Sequence, residues 1–537
     1  MGRTLLRVGC LALFGALALG CGSDDSKAGA SGGSGGAAGS GGVAGSGGVA
    51  GAAGTGGALG PFALDLGEVA DIELTNGEGR VALATPAGNE RYALIVASTL
   101  LDGSKTDYDY SVTLGAVSDP SKLSLATGCS LTSDTWSKMQ IPVETPPSGT
   151  AAKVGDQKSI ALGAEMITIE AIAVGNSAVV WADKTPAHPA VLDAAAVQEF
   201  LTDFETIILP RERTIFGTES DLDQDGHIQL VFSPLTYDTA VAYFSNCDLA
   251  PSSFCPSVNN GEYLYLTPPN AIAPPYNTPN AIKEILAHEL SHMIHFGRKV
   301  LKNKLLGWSD SAYLAEGIGA LAQDTSGYQA GNLYVTMAAL DGIQAYSLGQ
   351  TFADNVQYDM SRDGVLRGGS YLFARWFYDR AGGDKPGTGS AIESLGGPAL
   401  LHTLIEAPES VAAKLPDASG SSAENLAIDF WTTLAMSNRE KNGGAAPKNG
   451  CFAYLPTVVD PATSDSVTKH QRGADLYASF HGQKMNGPAL QPSDAVDAVL
   501  EAGGGELVQL DASGTELAFT ITAEPAAAPR VRIGRIR

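Results

Sequence analysis

The residues best equipped for chemistry stand together in Ala287-His288-Glu289-Leu290-Ser291-His292-Met293-Ile294-His295. The spacing predicts a helix, with Thr278 as its cap, Pro279 at its first position and Gly297 at its end. On that helix His288 and His292 are four residues apart, one turn from each other on a single face. Ile282, Leu286, Leu290 and Met293 fall on another side, the one that turns to a core. Two imidazoles one turn apart can bind a single Zn²⁺, and a carboxylate beside them, Glu289, can take a proton from water activated there. For this composition the chance expectation of His-Glu-x-x-His is about 0.005 matches, which sets coincidence aside in favour of a zinc site.

Catalytic zinc keeps three protein ligands and one open position. His295 sits three residues beyond His292 on the same helix, where three ligands rarely meet at one centre, so it reads as a neighbour of the ligands or a pocket wall. Glu316, in Ser311-Ala312-Tyr313-Leu314-Ala315-Glu316-Gly317-Ile318-Gly319-Ala320, is the expected third ligand. Ser309 or Asp310 can cap its helix. Glycine inside a helix costs about 0.5–1 kcal/mol relative to alanine, so Gly317 and Gly319 predict close packing against a neighbour.

A His-Glu-x-x-His motif followed by a Glu ligand on the next helix resembles the gluzincin arrangement of zinc metallopeptidases. Phe216-Gly217 before an Asp-rich segment, His288 to Phe296, and Leu314-Ala315-Glu316-Gly317 are together similar to the hyicolysin family of secreted bacterial metallopeptidases. The likeness extends over about 180–440, with the flanking β segments outside it. His295 departs from the Asn expected there, and 23 residues separate His292 from Glu316, more than in thermolysin-like or aminopeptidase gluzincins. The Gly-x-Met-x-Asn signature that anchors a free amino terminus is absent.

The resemblance therefore implies a zinc endopeptidase acting on protein or peptide substrates, with one zinc per chain. Glu289 would be the general base that later passes its proton to the leaving amine. It also implies a Tyr or His that holds the oxyanion; Tyr371, after Gly368-Gly369-Ser370, is the candidate, against a plain core role beside Trp376 and Phe377, with His402 as a rival. Asp324 is expected to orient a ligand His. A catalytically inactive, metallopeptidase-like surface lipoprotein acting as a binding module is the alternative, and the intact motif argues against it.

The elements that must position these residues follow from periodicity. From Pro61 to about Lys184 short β-rich runs alternate with Gly, Asn, Asp and Pro clusters; helical periods then dominate until strands return after about Gly473. The expected fold is α+β. A gluzincin-like mixed α/β zinc peptidase domain at 176–465 is flanked by an N-terminal β domain at 61–175 and a C-terminal β module at 466–537. The helical pattern that begins near Val191 is expected to stop at Pro210.

Asp221-Leu222-Asp223-Gln224-Asp225-Gly226 alternates carboxylates as an EF-hand loop does, yet Phe232 stands where the bidentate Glu belongs and a strand follows. A truncated Ca²⁺ loop on Asp221, Asp223 and Asp225 and an Asp-rich turn without metal both fit. A balance of 58 acidic to 34 basic residues, net −24, argues against nucleic-acid partners.

At the N-terminus, Arg3 and Arg7 precede an apolar run that ends at Gly20-Cys21, which resembles a bacterial lipoprotein processing site and predicts a signal peptide at 1–20 with lipid on Cys21. Half of residues 29–60 are Gly, and 21–60 read as a flexible tether with a reach of roughly 30 Å. The expected location is the cell envelope, at the outer membrane or cell surface, or secreted, with the membrane touched only through that lipid. Four cysteines then remain. Cys247 and Cys255 would close a short loop, and Cys129–Cys451 is the residual pairing.

Overall fold

Apolar residues alternating with polar ones between turn-forming clusters build five strands in the first part of the chain: β1 (Val69–Ile72), β2 (Glu78–Ala84), β3 (Arg91–Ser98), β4 (Asp107–Leu114) and β5 (Leu123–Leu125). The computed structural model describes residues 61–537 except 252–254, 256–258, 273, 275–276, 305–309, 329, 354–360, 464–470, 481–482 and 494–496. The signal peptide expected at 1–20, Cys21 and the tether of 21–60 lie outside the described residues.

Six further strands follow: β6 (Gln157–Leu162), β7 (Glu165–Val174), β8 (Ala178–Asp183), β9 (Ile228–Phe232), β10 (Ala242–Phe244) and β11 (Tyr263–Leu266). Helices α1 (Ala194–Asp203) and α2 (Leu209–Ile215) separate β8 from β9 and are joined by a π-helical turn at Phe204–Ile208. The turn carries the chain past Pro210, whose missing N–H falls in the first turn of α2, so the helix does not stop where the periodicity predicts. Beyond β11 come α3 (Pro279–His295), α4 (Ala312–Ser326), α5 (Ala330–Asp341), α6 (Asp363–Arg380) and α7 (Ala423–Met436). The chain ends in β12 (Gln491–Pro492), β13 (Asp497–Glu501), β14 (Gly505–Asp511), β15 (Glu516–Ala523) and β16 (Pro529–Arg535). The fold is α+β. Among the described residues no helix is long and apolar enough to cross a membrane.

The two flanking β segments are not separate modules. One sheet has the order β12-β14-β3-β16-β1-β5 and a second the order β13-β4-β15-β2, so strands from the two ends of the chain interleave in both. Strand β3 lies between β14 and β16, with Arg91 opposite Asp511 and Tyr92 opposite Arg535. One buried cluster spans both segments and includes Val81, Tyr92, Leu94, Val96, Phe519, Ile521 and Ile533. The physical reason is edge satisfaction: a strand such as β3 is buried throughout its core positions and needs hydrogen-bonding partners on both sides. The expected boundary near 175 also moves. Strands β6 and β7 belong to the mixed sheet β10-β11-β9-β8-β7-β6, which carries the helices of the site.

In that sheet β8, β9 and β11 run parallel, while β10 is antiparallel to β11 and forms one edge. Among the described residues two disulfides form, Cys247–Cys255 and Cys129–Cys451, with Cα–Cα separations of 5.5 and 5.6 Å.

Candidate metal centre

Helix α3 begins as its sequence predicts: Pro279 occupies the first turn and the Thr278 hydroxyl accepts from the Ala281 N–H at 3.3 Å. It does not end at Gly297. A π-helical turn, Phe296–Leu301, carries it on, and Gly297 packs against Ser220. The His288 and His292 rings lie 4.6 Å apart at 82°, both buried. Helix α4 is capped by Ser311, whose hydroxyl accepts from Leu314 N–H, in place of the expected Asp310, whose carboxylate meets Val411 and His295; the other expected cap, Ser309, lies outside the described residues. Gly327, at φ +89°, closes α4 in the left-handed region.

Packing of α4 on α3 brings Glu316 to the two histidines. Its Oε2 is 3.4 Å from His288 Nε2 and its Oε1 is 3.8 Å from His292 Nε2. Gly319 permits this approach, because a Cβ there would stand 2.6 Å from His288 Cε1. Gly317 serves the other side of the helix, where a Cβ would stand 2.5 Å from the carbonyl oxygen of Ser370 on α6. One ligand atom from each of His288, His292 and Glu316 lies within 4.8 Å of the others.

The donor set fits zinc. Neighbouring ligand atoms in a tetrahedron with bonds of 2.0–2.1 Å are about 3.3–3.4 Å apart, close to the 3.4 and 3.8 Å found here. His288 Nε2 is buried and has no well-formed hydrogen bond, a costly state that a metal would relieve. Its other nitrogen, Nδ1, faces Gln323 Oε1 at 3.3 Å, which favours the proton on Nδ1 and a lone pair on Nε2. Burial, followed by the neighbouring His288, pushes His292 down to about 3, so its imidazole is neutral and able to ligate. Burial opposes the charge on Glu316, but Arg367, then His288 and His292, outweigh it and hold the carboxyl well below its ordinary range.

Glu289 is buried beside the trio and outside it. Its Oε2 accepts the backbone N–H of Phe244, on edge strand β10, at 3.0 Å, and burial pushes its carboxyl up to about 7. His295 Nε2 lies 2.8 Å from Asp310 Oδ2, while the other Asp310 oxygen takes Val411 N–H at 2.8 Å.

Other expectations separate from the site. The Tyr371 hydroxyl donates to Asp324 Oδ2 at 3.2 Å, so both are tied to a buried network with Arg375 (2.8 Å) and the Gly473 N–H (2.8 Å). Asp324 therefore orients no ligand histidine; Gln323, its neighbour, takes that position. Two turns beyond Glu316 on the same helix face is the signal that could have found it. His402 Nε2 faces the Thr214 carbonyl at 3.2 Å. Arg367 Nη2 donates to Glu316 Oε2, a partner that the sequence reading missed.

Asp221, Asp223 and Asp225 also come within 4.8 Å of one another, partly exposed. Asp221 accepts Gly226 N–H at 3.0 Å, Asp223 accepts Asp225 N–H at 3.2 Å and Asp225 accepts His227 N–H at 2.7 Å. These bonds account for the motif as a turn. Buried Glu262 braces it through Ser220 Oγ (2.6 Å) and Leu222 N–H (3.0 Å). No protein-family model matches the chain, and no curated protein matches it.

Proposed function

We propose that this chain is a zinc-dependent endopeptidase of the cell envelope or exterior, tethered through Cys21, that hydrolyses peptide bonds of proteins or peptides. The observation that carries the reading is the convergence of His288 and His292 from one helix with Glu316 from the next, with Glu289 buried beside them. His288, His292 and Glu316 are the residues that would hold the metal. When bound there, zinc supplies Lewis acidity toward the scissile carbonyl and the attacking water.

Glu289 does the proton work. The Phe244 N–H holds its Oε2, which leaves Oε1 to take a proton as the water oxygen bonds to the carbonyl carbon. The same oxygen returns the proton to the amine nitrogen as the C–N bond breaks, so water is consumed and an acid and an amine are released. Gln323 keeps the His288 ring in the ligating tautomer.

Turnover of a fluorogenic peptide mixture, with and without a zinc chelator, tests the reading directly. Glu289→Gln should keep about one zinc per chain while turnover falls by about 10²–10⁴-fold. Turnover at the wild-type rate in Glu289→Gln would refute the mechanism, and chelator-insensitive turnover would refute the metal.

A further inference from the structure

A guanidinium at the proposed centre comes from a helix that the motif does not include. In Leu366-Arg367-Gly368-Gly369-Ser370, Gly368 lies against the Val335 carbonyl on α5, and Gly369 lies against the Tyr346 ring; a Cβ at either would overlap its neighbour. Ser370 meets Gly317 of α4. The missing side chain of Gly317 lets α4 press onto Ser370 of α6, Gly368 and Gly369 let α6 settle against α5 and Tyr346, and Arg367 is delivered to Glu316. Arg367 Nη2 donates to Glu316 Oε2, and its Nη1 stands 3.9 Å from Asp363 Oδ2, one turn earlier on α6. The guanidinium is thus held from two sides, with 13% of its side chain exposed, while Glu316 exposes 2%.

We propose that Arg367 is a positioning residue that presets the third ligand, holding the Glu316 carboxylate between His288 and His292 before metal arrives. This inference rests on reading the trio as a metal centre. The oxygen that Arg367 holds is the one facing His288, which turns the second oxygen toward His292. A planar guanidinium fixes a carboxylate in direction as well as in charge, and an ammonium does not. With Arg367 removed, the buried Glu316 carboxylate would face two imidazoles without its guanidinium, and losing one member of a buried ion pair is strongly destabilising.

The test uses the full chain stripped of metal with a chelator, and zinc ion as the probe. Melting temperatures are measured for wild type, Arg367→Gln, Glu316→Gln and the double variant, each with and without zinc. In the stripped state Arg367→Gln should melt several degrees lower, and the double variant should recover most of that loss, because no buried charge is left unpaired. Arg367→Lys should recover only part of it. Zinc should raise the melting temperature of Arg367→Gln more than that of wild type, since the metal then neutralises Glu316 in place of the guanidinium. Losses that simply add in the double variant, or a stripped Arg367→Gln that melts with wild type, would overturn the positioning role. A wild-type chain whose melting point zinc leaves unmoved, with the coupling intact, would instead overturn the metal centre and reduce Arg367–Glu316 to a structural ion pair.

Discussion

Gly319 gives the most direct handle on the proposed metal centre, because its missing side chain is the space in which His288 sits. In Gly319→Ala the new Cβ would stand 2.6 Å from His288 Cε1 and 2.8 Å from Nδ1 and Nε2. Ordinary contact begins near 3.4 Å, so the ring must retreat by about 0.8 Å, the difference between 3.4 and 2.6. Metal–ligand distances tolerate about 0.2 Å, so the displacement is several times what the centre can absorb. The same movement strains the 3.3 Å contact with Gln323. Losing ligand orientation of this kind costs about 10–100-fold in metal affinity, equivalent to about 1.4–2.7 kcal/mol. Fold stability should change less, since alanine gains about 1 kcal/mol of helix propensity against an overpacking cost of about 1–3 kcal/mol. Zinc affinity is read by competition with a chromophoric chelator, alongside the melting temperature. Gly317→Ala is the contrast: its Cβ meets the Ser370 backbone, so it should lower stability first. If Gly319→Ala binds zinc as tightly as wild type, the reasoning from His288 to the centre is wrong.

Tyr371→Phe should leave peptide turnover unchanged and cost about 1 kcal/mol of stability, because the hydroxyl serves Asp324; a large fall in kcat at unchanged zinc content would return Tyr371 to the reaction. Glu506 is buried next to Gln491, whose Nε2 donates to it at 2.7 Å, and burial raises its carboxyl to about 8. The unfolded chain releases that proton near its ordinary 4.5 and the folded chain near 8, so folded protein binds the extra proton between them and stability falls as pH rises through that window. Glu506→Gln should therefore gain on wild type by a few kcal/mol, as an order of magnitude, between pH about 5 and about 8; equal melting-temperature differences at the two pH values would refute this. Deleting 512–537 removes β15 and β16 and should expose 61–126 to limited proteolysis, whereas a truncated chain as resistant as the full one would show that the N-terminal strands stand alone.

Local spacing was enough wherever the relevant partners are near in sequence. His288 and His292 share a face because a helix returns every 3.6 residues, and Thr278 caps that helix with no help from elsewhere. Gly317 and Gly319 announced close packing because a helix otherwise excludes glycine, and each meets a neighbour too close for a Cβ. Cys247 and Cys255, eight residues apart, pair across a short loop. What tertiary structure decided lies at long range. Which strand sits beside β3 depended on segments more than 400 residues away, since a strand records its faces in its residue pattern but not its partners. Gln323 and Asp324 are neighbours about 100° apart on α4, so the packing of α3 on one side and α6 on the other determined which meets His288 and which meets Tyr371. Arg367 reaches Glu316 across 51 residues, and the packing of α6 on α4, close at Gly317 and Ser370, brought that guanidinium to the carboxylate.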